Sequence, residues 1–429
     1  MKRFVLLFLT FFLFLSCEFF NKNSTDEEPS YTAKITWDSG LVSNFPQSTM
    51  LEGDSVYFYE RPPEYNTVNI YALTRLDAAT GTLIWRSSFL FSNIIFCEPV
   101  AIDTYIYVFL EPNVICSFNK ETGELTAIAQ IDIENKKLEI NSNIAAYGQY
   151  LYFGMWSRVG KDYFVRLDVT VIHHDDPDAI QAITPEILWQ PELGYRVEAK
   201  PVVNDNIVYT CTRSPEALEL IELAGFDIDT KEKVFYKTFG GIEDVLAGYT
   251  KYPDKGAYLG GNHIFIHDGI LYYISRSIAA WNFKTGKQLY RHVFPNDISN
   301  EKMYNSNTLT QALFYNGKIY YISNAFYSQD GYRNTHCIDA TTGKLVWNSV
   351  AKGSFSLQNI PIIAHGRMYV SESIGLRVYE PETGRVIGVD KSFRGSNMDR
   401  NVLYGDLMIC LQGNNYNNDY RLVAVDVGK

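Results

Sequence analysis

The chain has 429 residues and a formal net charge of −11. That length exceeds what one compact core supports, so the chain needs several domains or a repeat array, and a hydrophobic share of 46% excludes a disordered polymer. The acidic balance argues against general affinity for nucleic acid or anionic lipid, while 31 Tyr and 26 Phe favour half-buried strands over helices.

Residues 1–17 read as a targeting segment. Lys2 and Arg3 precede an apolar run over residues 4–15, too short to span a bilayer and sized for the core of a signal peptide. The run stops at Phe14, Leu15 and Ser16 before Cys17, which resembles the box cut by the lipoprotein signal peptidase, where a small residue precedes the cysteine that receives lipid. Ser16 fits that pattern; Leu15 and Phe14 depart from it. Lipidation of Cys17 is the expectation, and a plain secretory signal is the alternative. Loss of Lys2 and Arg3 with the leader would leave 36 basic against 49 acidic residues. Residues 18–30 are rich in Asn, Asp, Glu, Ser and Pro, which predicts a flexible tether over 18–33.

From residue 34 one phrase recurs: an apolar strand, an Asp or equivalent, three residues to Thr, then Gly, then a strand with an aromatic. In chain order the copies are RLDAATGTLIW (75–85), SFNKETGELTA (117–127), GFDIDTKEKVF (225–235), AWNFKTGKQLY (280–290), CIDATTGKLVW (337–347) and VYEPETGRVIG (378–388). A further copy begins at Asp168 and is split by an insertion before Ile187, and an eighth begins at Asp426. The phrase encodes a hairpin. Asp and Thr bond nearby amides and Gly supplies a positive φ, so Asp77, Asp227 and Asp339 are structural rather than catalytic.

A second series gives the same count. Short strands, usually with Tyr, start at residues 55, 105, 150, 207, 270, 318, 367 and 406, each before one phrase and most after another apolar stretch such as EPVAI (98–102) or KPVVN (200–204). Four strands per unit follow, A to D. The anchors at 77, 119, 168, 227, 282, 339, 380 and 426 lie 41 to 59 residues apart, the spacing of propeller blades. The expected fold is all-β, a single eight-bladed β-propeller of four-stranded antiparallel blades over residues 34–429. The last unit lacks a D strand, and KITW at 34–37 matches the D strands LIW and LVW, so the N-terminal strand should complete the last blade and close the ring. Trp37, Trp85, Trp189 and Trp347 share one repeat position, with Phe235 and Tyr290 in their place elsewhere, which points to blade docking rather than ligand binding. Cys97, Cys116, Cys211, Cys337 and Cys410 are widely spaced and read as buried free thiols.

The phrase, clearest in DATTGKLVW, resembles the repeat of the pyrroloquinoline-quinone-like propeller superfamily, and the resemblance covers nearly all of 34–429. A lipid-anchored eight-bladed propeller without added domains is most similar to the lipoprotein-subunit family of the outer-membrane β-barrel assembly machinery. That resemblance implies a non-catalytic scaffold binding another envelope protein, such as a barrel-assembly subunit, through loops at one end, as a monomer within a larger complex. The quinoprotein dehydrogenases share the repeat, but they hold their quinone near an adjacent-cysteine disulfide and a calcium ion, and no Cys-Cys pair occurs here. No cofactor and no metal are therefore expected.

Phosphate loops, HExxH, GxSxG and regular zinc spacings are absent from the sequence. His173, His174, Asp175 and Asp176 lie in the insertion at 169–186; a solvated polar loop, a metal site and a partner-binding loop are all open readings. B–C and D–A connections open on one face of a propeller, and the long ones fall there, at 60–69, 156–163, 213–222, 240–262, 295–308, 324–335 and 413–419. Extended loops on a rigid scaffold are where binding resides. Arg61, Tyr65, Trp156, Arg158, Tyr327, Tyr332 and Tyr416 are the candidate partner-binding residues, since Tyr, Trp and Arg anchor protein interfaces. The same residue types bind sugars, so a glycan- or small-ligand-binding surface lipoprotein is the alternative function. The expected location is the bacterial cell envelope, with a lipid anchor as the sole membrane attachment.

Overall fold

In the computed structural model the chain is described from residue 29 to 428, apart from 44–48, 66–69, 96, 134–137, 141–143, 158–161, 193–195, 198, 214–220, 240–262, 275–276, 283, 294–311, 326–331, 353–360, 373–374, 394–400 and 415–418. The strands form eight antiparallel blades, each running A–B–C–D outward from the ring axis. Blade 1 is numbered from the phrase at 75–85. Hydrophobic side chains gather in eight clusters, and each cluster is shared by two neighbouring blades, including blades 8 and 1. The core is thus a closed belt between blades rather than a single centre.

The hairpin phrase behaves as its chemistry requires. In blade 1 the Asp77 carboxylate accepts from the Thr80 amide at 2.8 Å and the Thr80 hydroxyl at 2.7 Å, and Gly81 sits at φ +69°. Asp339 with Thr342 and Asn282 with Thr285 repeat the arrangement. Those bonds from Thr hold the carboxyls of Asp77 and Asp339 below the usual range.

Glycine in that turn has a second purpose. In three blades the D-strand tryptophan lies over the C–D turn of the next: Trp37 over Gly81, Trp85 over Gly123 and Trp347 over Gly384, where an added Cβ would collide with the indole. Each indole N–H also donates to a carbonyl of that next turn, at Ala78 (3.2 Å), Lys120 (3.1 Å) and Pro381 (2.8 Å). Tyr290 reaches the Ala340 carbonyl at 2.6 Å in the same way. Trp189 is likewise buried, packed with Phe226 of blade 4. These aromatics dock blades.

The N-terminal strand closes the ring. Lys34–Ser43 pairs antiparallel with Asp419–Asp426, with Lys34 opposite Asp426 and Trp37 opposite Ala424, and it runs longer than the sequence match at 34–37. Trp37 then seats in the cluster between blades 8 and 1.

Two expectations need correction. The last five residues of the expected tether do not hang free: Ser30 bridges Val389 in parallel, Tyr31 N–H donates to the Val389 carbonyl at 3.0 Å, and Ala33 N–H donates to Asp390 at 2.7 Å. Residues 29–33 are therefore part of the folded body. The insertion at 169–186 is exposed over most of its length, His173, Asp175 and Asp176 included, but it is anchored rather than free. It begins as a 3-10 turn, Val169–Val171, then sends the strand Ile180–Ile183 across to pair in parallel with the D strand of blade 2, Leu125–Ile131, giving that blade a fifth strand. His174 stacks on Tyr105 at 3.7 Å, and its Nδ1 lies 3.0 Å from the Ser117 hydroxyl.

A common cause links the two straps. Blades 2 and 7 are the two whose docking position lacks an aromatic, with Ala127 and Gly388 there. In blade 7, Tyr31 Cβ lies 2.6 Å from where a Gly388 side chain would begin, and Tyr31 packs on the cluster shared by blades 7 and 8. In blade 2, Val169, Ile172 and Ile183 of the insertion join Ala127 in one cluster. Each strap fills the space that a missing aromatic leaves, because an unfilled interior position forfeits contacts on every side.

Truncation separates strap from tether. Removal of residues 1–28 should leave the denaturation midpoint unchanged, whereas removal of 1–33 should cost about 1–2 kcal/mol for the partly buried Tyr31 ring; equal midpoints would refute the strap. Trp85→Ala should cost about 3–5 kcal/mol by urea titration. Burial, with His173 beside it and Asp175 opposing, holds the His174 imidazole below its ordinary value. The unfolded chain then binds more protons, so the strap's contribution is present at neutral pH and declines as pH falls below about 6.5. Amide exchange at 180–183 should accelerate over that range, and His174→Ala should remove the pH dependence.

Candidate functional site

The eight A strands surround a central channel. Residues from all eight line a cavity of about 860 Å³, and the lining includes residues that precede the A strands, so the cavity reaches the face carrying the D–A and B–C loops. Its walls are largely aliphatic, with Val100, Ile144, Val202, Leu313 and Ile362 among them. Charge is confined to the ends. Near the loop-bearing mouth Glu98 of blade 2 is ion-paired with Lys200 of blade 4, across blade 3. Towards the opposite face Glu52 is paired with Lys120 at 3.0 Å. Asn401, also in the lining, is buried and accepts from the Ser371 hydroxyl at 3.3 Å.

Around the mouth the loop face is raised by strands that continue past the ring. In blade 3 the B strand Tyr150–Ser157 pairs at its far end with an added strand, Leu138–Ile140, which sets Trp156 opposite Glu139. In blade 4 Arg196–Val197 caps the B strand Ile207–Arg213 similarly. In blades 6 and 8 the B and C strands extend into what the sequence marks as loop, Lys318–Ala325 with Tyr332–Asp339 and Leu407–Asn414 with Asp419–Asp426.

The candidate residues divide accordingly. Trp156 and Tyr65 are half-buried on this face, Tyr65 at the end of the 3-10 turn Pro63–Tyr65. Arg61 is only 8% exposed, so it supports the loop base instead of meeting a partner. Tyr332 begins a C strand and is not a loop residue. Arg158, Tyr327, Tyr416 and the lipidation candidate Cys17 lie outside the described residues. The five body cysteines are free and buried, and burial pushes the Cys116 and Cys337 thiols up to about 12.

Two buried carboxylates beneath this face escape sequence reasoning. Glu60, at the end of a B strand, accepts from the Thr74 hydroxyl at 2.8 Å and from Arg86 through two nitrogens. Glu222, at the start of a C strand, accepts from the Tyr236 hydroxyl at 2.7 Å and the Glu192 amide at 3.2 Å. Burial, then Glu222, raises the Tyr236 phenol, which stays protonated as the donor. Both groups buttress strand ends where loops depart, since a buried carboxylate persists only when fully bonded. The one available sequence signal is a Glu directly at an apolar strand end.

A family model described as outer membrane protein assembly factor BamB matches residues 317–426, from the A–B turn of blade 6 to the C strand of blade 8. No curated protein matches the chain. Among solved structures, the computationally designed Ika8 protein aligns at a TM-score of 0.55 and 12% identity, covering 93% of this chain and 100% of that one. A europium-containing methanol dehydrogenase aligns at 0.61 and 11%, covering 92% and 88%, and the quinohemoprotein alcohol dehydrogenase from Comamonas testosteroni at 0.61 and 11%, covering 92% and 77%. At such identities these likenesses establish the fold alone. The channel residues do not suit a quinone held over a cation: of the carboxylates described in its lining, Glu98 is committed to Lys200 and Glu52 to Lys120. The chain is an eight-bladed β-propeller whose residues 317–426 resemble BamB.

Proposed function

We propose that the protein is a non-catalytic, lipid-anchored scaffold of the bacterial envelope that binds another envelope protein through the loop-bearing face, in the service of outer-membrane protein assembly. The match of residues 317–426 to the BamB family model carries this reading. The geometry accords with it: a rigid ring raises B–C hairpins on one side, with the half-buried aromatics Tyr65 and Trp156 among them. The paired state of Glu98 and Glu52 leaves the channel without a free carboxylate among the described lining residues, which suits a scaffold better than a catalyst. Cys17 anchors the chain, and residues 18–28 connect that anchor to the strap at residue 29.

The test is capture from native membranes with the tagged full-length protein. Wild type should co-purify with an outer-membrane assembly protein. The double variant Tyr65→Ala, Trp156→Ala should reduce recovery at least about tenfold, as loss of interface anchors does, with little change in melting temperature. Undiminished capture by the double variant would remove the loop face from the interaction. Recovery of polysaccharide in place of protein would favour a glycan-binding role.

A further inference from the structure

The outer edges of the blades are not alike, and their differences point to a second docking surface. A D strand at the rim presents a row of outward N–H and C=O groups, a template for another strand unless it is covered or defended. Blades 2 and 7 are covered by the chain itself. In blade 7 the outward amide and carbonyl of Val389 bond Pro29 and Tyr31, and in blade 2 the added strand begins opposite Ile128. Val389 and Ile128 occupy one repeat position, directly after the docking site, and both added strands run parallel to the D strand.

Most remaining edges carry the usual defences. The D strand of blade 1, Leu83–Phe91, contains Arg86 and has two breaks in its pairing register. That of blade 3, Glu186–Trp189, is four residues long. Blade 4 has Lys233 and Lys237, blade 5 has Arg291, and blade 8 has Lys34, Asp38 and two register breaks. Blade 6 differs. Its D strand, Leu345–Lys352, carries no charge from 345 to 351 and no proline, and it pairs with the C strand through a single break, the one at the docking residue that other blades share. Leu345 and Val346 are 45% and 44% exposed. Asn348 stands at the position of Val389 and Ile128, so its N–H and C=O point outward; among the described residues no strand pairs with that edge.

We propose that the rim edge of blade 6 binds an extended, uncharged segment of another protein, added as a parallel fifth strand in the register that Ser30 and Ile180 adopt on their own blades. The chain's straps define the chemistry of the occupant. Ile180, Gln181, Ala182 and Ile183 on blade 2, and Ser30 with Tyr31 on blade 7, are short, uncharged and apolar at one or both ends. Main-chain hydrogen bonds would supply affinity, and contact with Leu345 and Val346 would supply selection for apolar side chains. The direction of pairing separates this from self-association, because two copies related by a two-fold axis would pair equivalent edges antiparallel. This surface lies on the rim, so it stands or falls independently of the loop face.

A labelled synthetic peptide with the sequence of residues 179–185, its ends blocked, is the probe, read by fluorescence anisotropy and by amide exchange on the full-length protein. Binding should protect the amides of 345–351. Asn348→Pro removes one outward donor while leaving the inner ladder intact, and it should weaken binding at least tenfold. Val346→Lys, which places a charge on the edge without touching the backbone, should do the same if the proline variant fails to fold. Ile84→Lys on the rim of blade 1 should have no effect. Absence of protection at 345–351, or equal binding by Asn348→Pro and Val346→Lys, would overturn the proposal. A concentration-dependent dimer abolished by Val346→Lys would overturn it too, by assigning the edge to a second copy.

Discussion

One contact recurs around the ring and the rest of the structure depends on it: an aromatic from the D strand of one blade laid over the C–D turn of the next. It joins three requirements in a few residues. The turn needs a left-handed residue, the ring needs room above it, and the indole N–H needs an acceptor. Gly81, Gly123 and Gly384 meet the first two together, since the missing Cβ gives both the φ and the space. The exposed carbonyls of the turn meet the third. Because every cluster is shared between blades, no blade has a core of its own, and stability belongs to the closed ring.

The two blades without an aromatic show how strong that requirement is. Ala127 and Gly388 at the docking position leave a gap that the chain fills from elsewhere, through the insertion in blade 3 and through residues 29–33. A strap that repairs packing also covers a rim edge, so one device answers both a void and an unpaired strand. It follows that residues 29–33 belong to the packing between blades 7 and 8.

Much of this was legible in the sequence. The eight phrases gave the blade count, and KITW at 34–37 gave the closure, because hairpin turns and D-strand aromatics are local patterns with local causes. The straps were not legible. Pro29, Ser30 and Tyr31 look like linker, and the residues around His174 look like a polar loop, since their partners lie 48 to 360 residues away and no periodicity marks a single parallel bridge. For the site, the long B–C segments fall on the face that the extended strands raise, and Trp156 stands in one of those strands. Residue type alone placed Arg61 at an interface, whereas burial makes it a support. Glu60 and Glu222 were overlooked because a lone Glu gives no sign of the Arg86 or Tyr236 that satisfies it.

The claim that strap residues stand in for a missing docking aromatic can be tested by moving the aromatic back. The measurement is the urea midpoint of Tyr31→Gly compared with that of the double variant Tyr31→Gly, Gly388→Trp. Tyr31 Cβ lies 2.6 Å from where a side chain at 388 would begin, so only glycine at 31 clears that space, and the double variant should recover most of the stability lost by the single one. A double variant less stable than Tyr31→Gly would contradict the account, because it would mean that the space Tyr31 fills is not the space an aromatic at 388 would occupy.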